Sequence, residues 1–562
     1  MGRHHESSPS FVQLRGSPER KPSLLQQFLY RNEERPPGAP TLAYPARVSG
    51  FMIPRRDFLL WAATGVGTMA AGEAPAAAQQ PAPASAPAPF GAGSVVDQAR
   101  DLAKQAHKAP ATDLPAPFAN LSYEQYIGLR LHRDATLWLN DNLGFAIEPL
   151  ARGFIFNNPV ELNIVADGTV QPVQLTAGAF DFGKLQAPAP TAPVSLSGFR
   201  VLQTGGAGAS PVEVAIFQGA TFMRAVARGQ RFGMVSRALA IRTADPKGED
   251  FPFIRTVWIE KPSLANPALV VHALIDSETM TGAYRFTLRP GDLTIVDTEC
   301  TLFARAAVDN YGLGGMTAMF MFSPIDRRNI DDQRAAVCDT AGLQILNGKG
   351  EWIWRPVSNH ETLQVSAFLD TNPGGFGLLQ RDRSFSSYQD DVENWELRPS
   401  LWIEPIGDWG EGSVQLVEIP TDSEVNDNII CFWRPKAAAQ PGKENTFAFR
   451  QFWCWAPPNH PPLAVVTTTR GGHGSTGRRR RFVVEFTGDI FADEGTWPNL
   501  KQMLSVNVGT ITATQTFYSR ERKTCRVLFE LDPGGETAAE MRLVLEQNGK
   551  PVSETWLYRW TA

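Results

Sequence analysis

From about residue 130 onward the apolar positions of this chain come in short bursts. The runs at 162–165, 213–217, 251–260, 269–275, 284–288, 294–303 and 414–419 are rich in Val, Ile, Phe, Thr and Trp and are bounded by Gly, Pro or Asp. Runs of this length and content predict strands. No sustained helical period interrupts them, which predicts a large antiparallel β-sandwich rather than alternating strand–helix units. Ahead of them, Ser94-Val95-Val96-Asp97 predicts a helix capped by Ser94, with Ala99, Leu102, Ala103 and Ala106 at helical spacing. A shorter helix is expected to include 123–126.

A proline run, Pro457-Pro458-Asn459-His460-Pro461-Pro462, separates a second strand-rich stretch. There strands are predicted at 464–469, 480–486, 505–517, 525–531, 542–546 and 553–558, with a tight hairpin at Asn548-Gly549. The fold class is therefore all-β. Residues 94–456 form the large sandwich, and 463–562 form a smaller immunoglobulin-like one that lacks the cysteine–tryptophan–cysteine signature of antibody domains.

The N-terminal stretch follows a different grammar. Residues 1–51 are polar, Pro- and Arg-rich, and read as a non-native or disordered leader, with Met52 as the expected start. Arg55-Arg56, the apolar stretch 59–71 and Ala76-Ala77-Ala78 give residues 52–78 the order of a twin-arginine export signal cleaved before Gln79. Residues 79–93 are a Pro/Ala linker.

Composition narrows the function. Of 562 residues, 20% are charged and 43% hydrophobic, which excludes a mostly disordered chain and a multi-span membrane protein. The net charge of −5 leaves no basic domain for nucleic acid. The five cysteines form no CxxC pair, so neither a zinc knuckle nor a disulfide framework is expected. HExxH, GxSxG and a phosphate-binding Gly-rich loop are absent, and no metal or cofactor is predicted. What remains for an exported β protein is carboxylate chemistry on an uncharged polymer such as a glycan.

Two segments concentrate the candidates. Residues 376–409 carry Tyr388-Gln389-Asp390-Asp391, Trp395-Glu396-Leu397-Arg398, Trp402 and Trp409 in a loop-rich pattern. Adjacent Asp390 and Asp391 cannot both face one way on an extended chain. The second segment is Glu351-Trp352-Ile353-Trp354-Arg355, where Trp352 and Trp354 share one strand face. At least one of Trp352, Trp354, Trp395, Trp402 and Trp409 is expected to stack on a sugar ring, although burial is the commoner fate of a strand tryptophan. Tyr388, Arg355 and Arg398 complete the expected substrate contacts.

These segments, with Gly282-Ala283-Tyr284-Arg285-Phe286, Gly375-Phe376-Gly377-Leu378-Leu379-Gln380-Arg381, Leu397-Arg398-Pro399-Ser400-Leu401-Trp402-Ile403-Glu404-Pro405, Val417-Glu418-Ile419-Pro420-Thr421 and Asp427-Asn428-Ile429-Ile430-Cys431-Phe432-Trp433, resemble the periplasmic glucan-biosynthesis protein family, types D and G. The twin-arginine signal leans toward type D. The resemblance implies a galactose-mutarotase-like sandwich joined to the immunoglobulin-like one. It implies inverting hydrolysis or transglycosylation of β-1,2-glucan, or a non-catalytic scaffold that assists a membrane glucosyltransferase. It places the general acid on Asp390, within Tyr388-Gln389-Asp390. Asp391 and Glu396 are near enough to raise the pKa of that acid, and Arg398 opposes them. Asp339, Glu351, Asp297 and Glu299 are candidates for the base. The chain departs from the family at Cys338-Asp339-Thr340-Ala341-Gly342-Leu343, where a His and a second Asp are replaced, and at Gly314-Gly315-Met316-Thr317-Ala318-Met319.

Overall fold

The computed structural model describes residues 89–205, 209–327 and 330–562. The expected leader and export signal and most of the Pro/Ala linker lie outside them. Nearly every described element is a strand.

The apolar bursts form the strands they predict. Phe253–Glu260, Leu269–Asp276, Met280–Arg289 and Thr294–Ala304 pair antiparallel in chain order, and the last pairs in turn with Glu444–Cys454. Leu269–Asp276 is buried at every position because both of its faces are covered. Val271, Ala273 and Ile275 point into the sandwich core, while Leu274 meets Val95 and Ala99 of the helix Ala92–Ala103. That helix begins two residues before the predicted cap. Gly91 stands at its N-cap, and Ser94 sits inside the first turn, where its Oγ donates to Gly91 O at 2.6 Å. The short helix Tyr123–Gly128 is closed by a Ser122–Gln125 capping box.

The sandwich consists of two large sheets. A ten-stranded sheet runs from Phe145–Ala151 at one edge to Gln364–Thr371 at the other. Facing it is a fifteen-stranded sheet whose middle holds Trp352–Pro356, Gly342–Leu346, Gly375–Leu379 and Ser400–Ile406. Among the described residues the pairings between these strands are antiparallel apart from two. One joins Glu161–Ala166 to Phe253–Glu260, and the other joins Trp352–Pro356 to Thr555–Thr561.

The second of those parallel pairings couples the middle of the chain to its C-terminal strand. After the proline run, Val465–His473, Arg480–Thr487, Thr524–Asp532 and Thr510–Ser519 make a four-stranded sheet. Leu500–Val506, Ala538–Gln547 and Thr555–Thr561 instead extend the fifteen-stranded sheet, through Trp354 opposite Trp556. One hydrophobic cluster takes in Phe449 and Trp453 on one side of the proline run and Phe482, Phe529 and Trp556 on the other. The predicted strand at 505–517 is broken by a turn at Gly509, whose φ is +77° and where a Cβ would lie 2.7 Å from Asp532 O. Asn548 and Gly549 both take the left-handed conformation that the predicted hairpin requires.

Candidate functional site

Between the strands Gly375–Leu379 and Ser400–Ile406 the chain makes the loop 380–399. Gln389 and Asn394 adopt left-handed φ values of 55° and 49°, a conformation that costs a non-glycine residue about 1–2 kcal/mol. Between these bends Asp390 turns inward and is 7% exposed, whereas Asp391 faces solvent.

The Asp390 carboxylate is fully engaged. Oδ1 accepts from Val392 N and Glu393 N, both at 3.0 Å. Oδ2 accepts from Trp395 Nε1 at 2.9 Å and from Arg334 Nη1 at 2.9 Å. Burial pushes the Asp390 pKa up, but the bonds from Glu393 N, Arg334, Val392 N and Trp395 outweigh it and hold the carboxyl below its usual range. A proton donor at neutral pH needs the opposite shift. The like-charge neighbours do not dominate, because Asp391 is exposed and the cation Arg334 sits directly on Oδ2.

Arg334, which the sequence pattern does not single out, joins separate loops. Its Nη2 pairs with Asp332 Oδ2 and with Glu424 Oε2, each at 2.7 Å. Its Nε donates to Asp332 Oδ1 at 3.0 Å. The pattern Asp331-Asp332-Gln333-Arg334 announces the local pair, but nothing in it points to Asp390, 56 residues away.

On the far side of Trp395 a second set of charges is packed. Arg398 is fully buried, lies 5.1 Å from the Trp395 ring centroid, and donates through Nη2 to Glu393 Oε2 at 2.5 Å and through Nη1 to Phe232 O. Its Nε is 3.9 Å from Asp339 Oδ1. Gly233 is needed here: a Cβ at that position would fall 3.0 Å from Arg398 Cδ and 3.2 Å from Asp339 Oδ1. Asp390 and Asp339 are thus linked through Glu393 and Arg398. Glu396 is buried as well, and its Oε2 has no hydrogen-bond partner.

The expected sugar contacts fall elsewhere. Trp352, Trp354, Trp395, Trp402 and Trp409 are all buried, and so are Tyr388, Arg355 and Arg398. Trp352 and Trp402 stack on each other at 6.0 Å. Trp354 lies beneath the Arg381 guanidinium at 3.5 Å. Trp409 packs among Phe376, Trp433 and Phe449. Tyr388 donates to Asp382 O at 3.2 Å, and Arg355 pairs with the buried Glu418 at 2.9 Å. An indole covered on both faces offers none to a sugar ring, so the stacking expectation for these five does not hold. Trp352, Trp354 and Trp402 lie on strands in the middle of the fifteen-stranded sheet, and Trp395 and Trp409 lie between strands, and each is covered by side chains from distant segments that the local pattern does not reveal. The aromatic faces left open near the Asp390 loop belong to Phe385, 44% exposed, and to the partly exposed Trp455, which stacks with Arg383 at 5.2 Å.

Three of the base candidates are held in ion pairs of their own. Asp297 is clamped by Arg289 and Arg450, Glu299 pairs with Arg285, and Glu351 binds Arg542 and Thr555. No cluster of metal-ligating side chains occurs among the described residues, and no helix there is long and apolar enough to cross a membrane.

Comparison with known proteins gives a family. The family described as "Periplasmic glucan biosynthesis protein, MdoG" matches residues 90–560. "Glucans biosynthesis protein G" of Rhodopseudomonas palustris (strain BisA53) is 43% identical over 472 residues, covering 83% of this chain and 93% of that protein. The protein of the same name from Bradyrhizobium diazoefficiens is 42% identical and covers 84% of this chain and 93% of its own length. The one from Vibrio cholerae is 40% identical and covers 84% and 87%. These relatives carry the name G, so the leaning toward type D finds no support among them. A galactose mutarotase related enzyme from Lactobacillus acidophilus overlaps 42% of this chain and 95% of its own at 8% identity and a TM-score of 0.20.

Proposed function

Since the chain belongs to the periplasmic glucan biosynthesis family, we propose that it acts in the periplasm on the β-1,2-glucan backbone by inverting hydrolysis or transglycosylation, with Asp390 as the proton donor. The observation that carries this reading is Asp390 itself. It is the carboxylate of the family-like motif, it is turned inward where the loops of Arg334, Glu424 and Trp395 converge, and the open face of Phe385 lies on the same loop. Inverting cleavage requires a carboxylic acid to protonate the leaving oxygen while a base on the opposite side takes a proton from the attacking water or hydroxyl. The glycosidic C–O bond breaks as the new C–O bond forms. Asp339, linked to Asp390 through Arg398 and Glu393, is our choice for the base.

Incubation with linear β-1,2-glucan should release new reducing ends or transfer products. Asp390→Asn should lower that rate by about 10²–10⁴-fold while binding persists, and Asp391→Asn should leave it near wild type. Phe385→Ala and Trp455→Ala should weaken binding in the same assay. Full activity in Asp390→Asn defeats the assignment.

One observation favours a second reading, a glucan-binding scaffold beside a membrane glucosyltransferase: the Asp390 carboxyl is held ionised rather than protonated. Binding of glucan without any change in the polymer would select it. Export by the twin-arginine route rests on Arg55-Arg56. Replacing both with lysine should retain the precursor in the cytoplasm, and unchanged export of that variant rules the route out.

A further inference from the structure

The Arg334 guanidinium is shared among carboxylates from separate parts of the chain. Nη1 serves Asp390, Nε and Nη2 grip Asp332, and Nη2 also reaches Glu424. We propose that Arg334 is the positioning residue for Asp390, holding its carboxylate ionised and inward, and that Asp332 and Glu424 keep the guanidinium neutralised when Asp390 takes up a proton. This rests on the reading of Asp390 as the proton donor.

The geometry decides which oxygen takes the proton. Each oxygen accepts two N–H donors, but those on Oδ1 are backbone groups fixed in the loop, whereas those on Oδ2 come from side chains. The proton therefore goes to Oδ2, where the donors are Trp395 Nε1 and Arg334 Nη1. Arg334 has to release Oδ2 for this to happen. An arginine whose sole counter-ion was Asp390 would be left as an uncompensated, largely buried cation, which is costly. Here release breaks one contact and leaves the Asp332 and Glu424 contacts in place. The low pKa direction of Asp390 agrees with the arrangement.

Other charges around Asp390 do not replace Arg334. On its own loop, Asp391 is exposed and the Glu393 side chain is paired with Arg398. Glu396 is buried further along. From the neighbouring segment, Arg231 donates through its guanidinium to Val392 O at 3.2 Å and through its backbone N to Leu397 O at 3.0 Å, and neither bond is to the Asp390 carboxylate. Arg327 binds the carbonyls of Asp332, Arg334 and Ala335 and so braces the Arg334 loop rather than Asp390.

Trp395 provides a reporter, because its indole N–H is bonded to the oxygen that titrates. The experiment follows that N–H by NMR against pH in the full mature chain without glucan, with Trp395→Phe assigning the signal. In Arg334→Gln the midpoint should rise by about 1–3 pH units, the range over which an adjacent cation depresses an aspartate. In Glu424→Gln it should fall below wild type, because Arg334 then has less competing negative charge and Asp390 has one fewer like-charged neighbour. A general loosening of the loop would move both variants in the same direction. An unchanged midpoint in Arg334→Gln, or equal direction in both variants, overturns the proposal. If Arg334→Gln does not fold, the direction in Glu424→Gln still decides. The titration needs no substrate, so a protein that never cleaves glucan can still pass it. An Arg334→Gln titration unchanged from wild type, together with cleavage lost in Asp390→Asn, would sink this inference and leave the enzyme reading standing.

Discussion

Glu213 shows how a single carboxyl responds to its place in the sheet. It lies on Val212–Gln218 with its side chain 11% exposed, beside Arg200 at 3.5 Å and near Glu148. Burial pushes its pKa up to about 7, with Arg200 opposing and Glu148 adding to the rise. A carboxyl raised in the folded state is neutral in both states below about pH 4, so it has no effect on stability there. As pH climbs toward 7 the unfolded chain ionises first, and the fold loses stability. A tenfold difference in proton affinity between the folded and unfolded chain is worth about 1.4 kcal/mol, so the loss is on the order of 2–4 kcal/mol. Glu213→Gln should therefore flatten the fall in stability between about pH 4.5 and pH 7, as measured by urea unfolding. Equal slopes in variant and wild type would contradict this account. The same scale separates Asp390 from Asp391: one turn with a left-handed Gln389 buries the first and exposes the second.

Among the elements, the loop 380–399 is held at its root by the far end of the chain. Arg381 makes a bidentate pair with Glu554, at 2.6 and 2.9 Å, and donates to Val466 O at 2.6 Å while covering Trp354. Glu554 is fully buried and also accepts from Val466 N at 2.5 Å. Removing one partner of a buried pair strands the other, at a cost of about 3–5 kcal/mol. Glu554→Ala should therefore lower stability by that order. It should also shift the Trp395 indole signal, because the loop that carries it loses its anchor. A stability loss with the Trp395 signal unmoved would show that the strut does not reach the Asp390 end of the loop.

For the whole molecule, we propose two β units meeting near residues 457–463. Their boundary is crossed by the Trp354–Trp556 strand pairing and by the shared hydrophobic cluster. Opening one unit would expose the core of the other, so calorimetry on the mature chain should record a single cooperative transition. Two resolved transitions would mean that the shared sheet contributes little to cooperativity.

What the chain determined by itself is local. Apolar runs bounded by turn residues specify strands because alternation and β-propensity act over a few positions, and Asn548-Gly549 specifies its hairpin because both residues accept positive φ. Alternation along the chain says that Asp390 and Asp391 face different ways but leaves open which turns inward, and it was the family resemblance of Tyr388-Gln389-Asp390 that singled out Asp390; the all-β class followed from the absence of helical period. What the tertiary structure decided depends on contacts between distant segments. A tryptophan on a strand has the same local pattern whether its face meets sugar or another sheet. Only the packing of Trp352 on Trp402 and of Trp354 beneath Arg381 settled that both are core. Arg334 likewise carries no local sign of Asp390 or Glu424, because long-range ion pairs form where folding brings separate loops together.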